Sequence, residues 1–272
     1  MKIAILITVC LALLLNTGCD VFGKENISDK EKPIQLGVER EIFVDDFLIG
    51  QLNGTQLVKH TPHDEDPVFY FDKPWEGDFC AYFTIIRDGD LLRAYYRGSM
   101  LAGQDGPKKE ITCLAESKDG IRWEKPNLGL YEINGSFENN IVLANEAQAS
   151  HNFSPFIDKN PDANSDQRYK ALAGLAKYGL MAYTSPDGIH WKKLKDGVLK
   201  KGNFDSQNVV FWSESEKCYV CYFRTWTGGK VFSGFRSVSR AISSDFINWS
   251  EPVAMTFGDT PLEDLYTQQT SP

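Results

Sequence analysis

The strongest constraint on this chain is a seven-residue segment that occurs three times without a gap. The copies are Ser117-Lys118-Asp119-Gly120-Ile121-Arg122-Trp123, Ser185-Pro186-Asp187-Gly188-Ile189-His190-Trp191 and Ser243-Ser244-Asp245-Phe246-Ile247-Asn248-Trp249. Ser, Asp, Ile and Trp hold the same places in all three, at spacings of 68 and 58 residues, and an internal repeat of this kind signals a chain built from like units. The Ser and Asp oxygens can accept from nearby backbone N–H groups and close a β-turn, and Gly120 and Gly188 supply a positive φ. Phe246 stands where the other copies have Gly, which predicts a local difference in the third turn.

Each turn is preceded by three strand-like runs. The first strands cover 79–87, 153–158 and 208–212, the second 91–97, 168–173 and 217–224, and the third 114–116, 179–184 and 237–242. Asp88-Gly89 between the first two runs is a hairpin signal. A fourth strand carrying the Trp completes each unit, with the Trp packed between neighbouring sheets. Four antiparallel strands per unit describe a propeller blade. The expected fold is therefore all-β, with blades at 75–135, 149–200 and 205–255 and no sustained helical period.

The ends and the cysteines read separately. Met1-Lys2 and the apolar run 3–15 form a segment too short to span a bilayer and right for a signal-peptide core. It leads into Asn16-Thr17-Gly18-Cys19, similar to a lipobox, so residues 1–19 are expected to direct export with lipidation at Cys19. The polar stretch 20–37 reads as a tether, and 38–272 as the propeller domain. A formal net charge of −8 argues against a nucleic-acid partner. A membrane contact is expected only through the lipid, placing the protein at the periplasmic side or the cell surface; without lipidation the cleaved chain is secreted. Cys218 and Cys221 lie at an odd offset in a strand and so face opposite ways, which favours free thiols over a metal or redox pair; Cys80 and Cys113 read likewise.

The blades resemble those of the arabinanase, levansucrase and invertase superfamily of five-bladed glycosidases, and the turn resembles the Asp-box of sialidases, one residue shorter. The likeness is carried by Phe43-Val44-Asp45-Asp46, Trp75-Glu76-Gly77, the three turns, Phe204-Asp205-Ser206-Gln207-Asn208 and Glu263-Asp264-Leu265-Tyr266-Thr267. The superfamily's Asn-Asp-Pro-Asn-Gly and Arg-Asp-Pro motifs are absent. The resemblance implies five blades when complete, of which about three are present here, so the chain reads as C-terminally incomplete. It also implies glycosidic-bond hydrolysis on an oligo- or polysaccharide.

In a propeller the first strands line a central funnel, so residues entering them converge from distant positions. Hydrolysis needs two carboxyl groups flanking the scissile bond, and Glu76, Asp205 and Glu263 are acids at three different strand entrances. Asp78 and Asp264 compete with their neighbours. The second entrance offers His151, suited to a sugar hydroxyl, instead of an acid, and Asn208 enters the third blade. Arg97 and Arg224 end second strands at matching places, where they orient carboxylates, bind acidic sugars or form structural ion pairs. Trp75 and Tyr266 suit sugar stacking or core packing alike. Asp45-Asp46 belongs to the site or to a turn. His60 and His63 before Asp64-Glu65-Asp66 lack metal-ligand spacing, and neither metal nor cofactor is expected. Two other readings stand beside hydrolysis. One is a non-catalytic glycan-binding or interaction propeller. The other is a phosphorolytic enzyme, which keeps one acid and places basic groups where the second stood.

Overall fold

The structure is a computed structural model that describes residues 35–37, 42–43, 45–78, 80–98, 109–227, 234–256 and 258–261. The chain divides into two compact units, Met1–Asp64 and Glu65–Pro272. In the first, the Asp45 carboxylate accepts from the Phe47 N–H at 3.0 Å and the Asp46 carbonyl from the Ile49 N–H at 3.0 Å, so Asp45-Asp46 forms a turn. His60 and His63 are exposed.

The second unit is all-β. Its twelve described strands form three four-stranded antiparallel sheets, each in simple sequence order. Sheet one contains β1 (Ala81–Asp88), β2 (Leu91–Gly98), β3 (Ile111–Ser117) and β4 (Ile141–Leu143). Sheet two contains β5 (Ser154–Ile157), β6 (Tyr169–Ala173), β7 (Leu180–Ser185) and β8 (Lys192–Leu199). Sheet three contains β9 (Val209–Ser213), β10 (Cys218–Thr227), β11 (Phe235–Ser243) and β12 (Val253–Ala254). These are propeller blades, as the repeat predicts. The one α-helix among the described residues, α1 (Ala147–Ser150), carries the chain from β4 to β5.

Three details correct the sequence reading. The first blade extends beyond 135, because its fourth strand waits until Ile141. The repeated tryptophans do not lie in the fourth strands: each sits just after its turn and is half-buried. Each donates its Nε1–H to the carbonyl of the fourth repeat residue, at 3.0, 3.0 and 3.1 Å. This short-range bond fixes the ring against the turn before pairing resumes. The third turn departs less than expected: it keeps the left-handed fourth residue, while the Phe246 N–H lacks the bond to the repeat Ser Oγ that Gly120 and Gly188 make at 2.9 Å. Phe246 takes φ 69°, beside 76° for Gly120 and 78° for Gly188. A left-handed Phe costs on the order of 1–2 kcal/mol, which its complete burial against Phe156, Tyr219 and Trp249 offsets. Gly188 has no such freedom: a Cβ there meets the Tyr95 hydroxyl at 2.5 Å.

The Asp of each turn repeats one set of bonds. Asp119, Asp187 and Asp245 each accept from the N–H groups two and three residues on, at 2.7–2.9 Å. The blades are latched beside these turns by a second repeated device. Asp88 of blade one accepts from the Tyr169 hydroxyl of blade two, while Arg93 Nη1 donates to the same hydroxyl at 3.0 Å. Asp158 of blade two accepts from Tyr219 of blade three at 2.7 Å, while Lys170 Nζ donates to that hydroxyl at 2.7 Å. Blades two and three also share an apolar core of Phe156, Leu172, Leu180, Phe204, Tyr219, Phe223 and Phe246. The four described cysteines are free, and Cys218 is half-buried while Cys221 is buried, as the odd offset requires.

Candidate functional site

The strand starts of β1, β5 and β9 lie at the blade ends opposite the Ser-Asp turns, and there charged groups from three blades meet. Arg97 ends the buried run of β2. Its Nη1 is 3.0 Å from His151 Nδ1 and 3.4 Å from Glu110 Oε1. Glu110 enters β3, is buried, and brings both carboxylate oxygens within 3.2 Å of the same His151 nitrogen. His151 follows α1 and is fully buried. Its Nε2 lies 3.0 Å from the main-chain oxygen of Asp205. The Tyr82 hydroxyl donates to that same oxygen at 2.7 Å. The Arg97 guanidinium stacks on the Tyr82 ring at 4.7 Å.

Asp205 is the open member of the group. Its carboxylate is 44% exposed and pairs with Arg224 on β10. Burial, and then the charge of Arg236, lower the Arg224 pKa. Buried beside them, Asn208 Oδ1 and Arg224 Nε have no hydrogen-bond partner among the described residues. Orphaned polar atoms of this kind carry a desolvation cost and give a hydroxyl-rich ligand something to complete.

The other expected residues fall elsewhere. The Glu76 carboxylate is fully buried, accepting from Tyr96 Oη at 2.6 Å and the Lys73 N–H at 2.8 Å and ion-paired with Lys125 at 2.6 Å. A catalytic carboxylate needs one side open to substrate, and Glu76 has none; it fastens the 72–76 segment to blade one. Burial, then the Glu76 charge, push the nearby Cys80 thiol up to about 12, so it stays protonated. Trp75 is half-buried, donates to Asn140 Oδ1 at 2.7 Å and packs on the blade-one core. Asp78 is exposed. Glu263, Asp264, Tyr266 and Cys19 lie outside the described residues. No cluster of metal-ligating side chains occurs among the described residues.

Sequence reasoning passed over Glu110 and Tyr82. Glu110 enters a third strand, and attention to first-strand entrances skips it. Tyr82 reaches the site only because β1 is bulged between Ala81 and Thr84 and Tyr82 itself takes φ 52°.

No protein-family profile matches the chain. Two curated proteins of Mycobacterium tuberculosis, the uncharacterized proteins Rv1502 and MT1551, are each 26% identical over 153 residues, covering 54% of this chain. The chain spans less than half the length of these relatives, the match covering 43% of each. Among solved structures, a glycosyl hydrolase from Bacteroides ovatus is similar at TM-score 0.45 and 17% identity, over 70% of this chain and 57% of that one. A structure from the GH130 family of mannoside phosphorylases, described as containing hydrolases that target β-1,2-mannosidic linkages in Candida mannan, is similar at TM-score 0.46 and 14% identity, with the same coverage. An N-acetylgalactosamine deacetylase from F. plautii is similar at TM-score 0.43 and 17% identity, over 63% of this chain and 51% of that one.

Proposed function

We propose that this is an exported carbohydrate-active enzyme that cleaves glycosidic bonds at the mouth formed by its three blades, with Asp205 presenting the carboxylate that faces the sugar. One observation carries the reading: an open carboxylate is held at a convergence of buried polar groups from three separate blades. Such an arrangement offers hydroxyls the buried Asn208 amide oxygen and holds the Asp205 carboxylate beside Arg224, suited to act as base or nucleophile. Hydrolysis requires a second carboxyl group across the bond; Glu263 and Asp264 from the following segment are the candidates. Anchoring through a lipid on Cys19 belongs to the same proposal, and radiolabelled palmitate should be incorporated into the wild type and not into Cys19→Ser.

The test is turnover on a polysaccharide panel. Asp205→Asn should lower kcat by at least ~10²-fold while circular dichroism stays unchanged. Retained turnover in that variant refutes the assignment. A phosphorolytic mechanism is a second reading, favoured by one specific observation: the entrance of the second blade supplies His151 beside Arg97 where an acid is expected. It predicts that cleavage depends on inorganic phosphate and releases a sugar 1-phosphate.

A further inference from the structure

We infer that Tyr82 and His151 are positioning residues: together they clamp the main-chain carbonyl of Asp205 and so aim its carboxylate. This rests on the reading of Asp205 given above. The carbonyl oxygen receives two side-chain donors, one from blade one at 2.7 Å and one from the start of blade two at 3.0 Å, while Asp205 itself opens blade three. A single backbone atom thus ties three blades together at the point where the open carboxylate emerges.

Both donors are held for this task. An acceptor-only carbonyl requires a proton on His151 Nε2. That holds in either charge state of the ring. Neutral, its Nδ1 lone pair accepts from Arg97 Nη1; protonated, Nδ1–H donates to Glu110. The buried Arg97–Glu110 pair on the far side of the ring therefore fixes its orientation, as a carboxylate partner does for many functional histidines. Tyr82 is aimed by the backbone. A bulky residue at positive φ inside a strand is a genuine outlier, and bulges re-aim side chains next to active sites. The bulge at Tyr82 uses this strain to set the ring against Arg97 and the hydroxyl on the Asp205 carbonyl. Two residues on, Thr84 Oγ1 accepts from Gln207 Nε2, a second tie between the bulged strand and the Asp205 loop.

The sequence makes the clamp directly observable. Asp followed by Ser occurs once in the chain, at Asp205-Ser206. Labelling Asp at the 13C carbonyl and Ser with 15N therefore isolates one carbonyl signal in the intact protein. Loss of a donor should move that signal upfield in Tyr82→Phe and again in His151→Ala, with His151→Gln, whose amide reaches the Nε2 position, restoring it. On a substrate turned over by the wild type, Tyr82→Phe should lower kcat about 10-fold with KM changed less than about 2-fold. An unmoved carbonyl signal in Tyr82→Phe overturns the clamp. A moved signal with unchanged kcat, where Asp205→Asn is inactive, overturns the positioning role. If Asp205→Asn itself retains turnover, the functional reading fails, and with it the positioning role, while the carbonyl signal still decides the clamp.

Discussion

The two ends of the blades obey different rules. At the turn end each element is used again: the Asp bonds, the tryptophan N–H to the fourth residue and the Tyr–Asp latch with its cation recur from blade to blade. At the mouth only an arginine of the second strand recurs, as Arg97 and Arg224. The three first-strand entrances bring Tyr82, His151 and Asp205, three different chemistries, and leave the buried Asn208 Oδ1 without a partner among the described residues. Repetition is the mark of groups whose partners are other parts of the same fold. On the function proposed above, its breakdown marks groups placed for a ligand.

The comparison makes measurable demands. The largest stability effect should come from Trp191, whose ring lies 4.8 Å from Phe153 and also contacts Tyr95 of blade one and Tyr169. Trp191→Ala should cost about 3 kcal/mol in urea unfolding, the low end for a large aromatic because the ring is half-buried. A cost under about 1 kcal/mol breaks the claim that the turn end holds the blades together. Asp205→Asn should show the reverse profile: its loss of turnover, ~10²-fold, equals about 2.7 kcal/mol of transition-state stabilisation. Its unfolding free energy should change by less than about 1 kcal/mol, as befits a partly exposed ion pair.

Next in size is the turn carboxylate. Asp187→Ala removes the acceptor for the Ile189 and His190 N–H groups and the Ser185 hydroxyl, and should cost about 1–2 kcal/mol. Activity measured well below the unfolding transition should not change. The smallest effect is a matter of pH. Hydrogen bonding from Arg168, with Tyr169 and Arg93 beside it, outweighs burial and lowers the Asp88 pKa to about 2. In the turn, burial works against Asp245, but the Asn248 and Ile247 N–H groups outweigh it and lower its pKa to about 2. Groups with depressed folded pKa values contribute stability above the unfolded value near 3.9, and that stability is lost as pH falls through the folded value. The wild type should therefore weaken between about pH 4 and pH 2. The stability gap between it and Asp88→Asn should narrow over the same window; a gap independent of pH excludes Asp88 as a contributor.

The same contrast explains what could be read from the sequence. Ser, Asp and Trp at fixed offsets announce a turn because their bonds reach only two or three residues, so the pattern contains its own partners. The blade count and strand order followed from it. Glu76 was singled out by its place at a strand entrance, but its environment is set by Lys125, just past the first turn, which no local pattern connects to it. Glu110 and Tyr82 depend on a neighbouring blade and on a bulge, and neither leaves a periodic trace. Phe246 shows the opposite error: a residue chosen against by local propensity keeps the turn because tertiary packing rewards it.

The long reach of the Tyr82–Asp205 contact has a consequence for biogenesis. The latches join each blade to the one made just before it, so a blade can dock soon after it leaves the ribosome, in the manner of arrays stabilised by nearest neighbours. The hydroxyl of Tyr82 must wait through 123 residues of further synthesis for the carbonyl it holds. The mouth thus cannot close before the third blade begins, and a nascent chain stopped short of Asp205 would carry two docked blades and no assembled site.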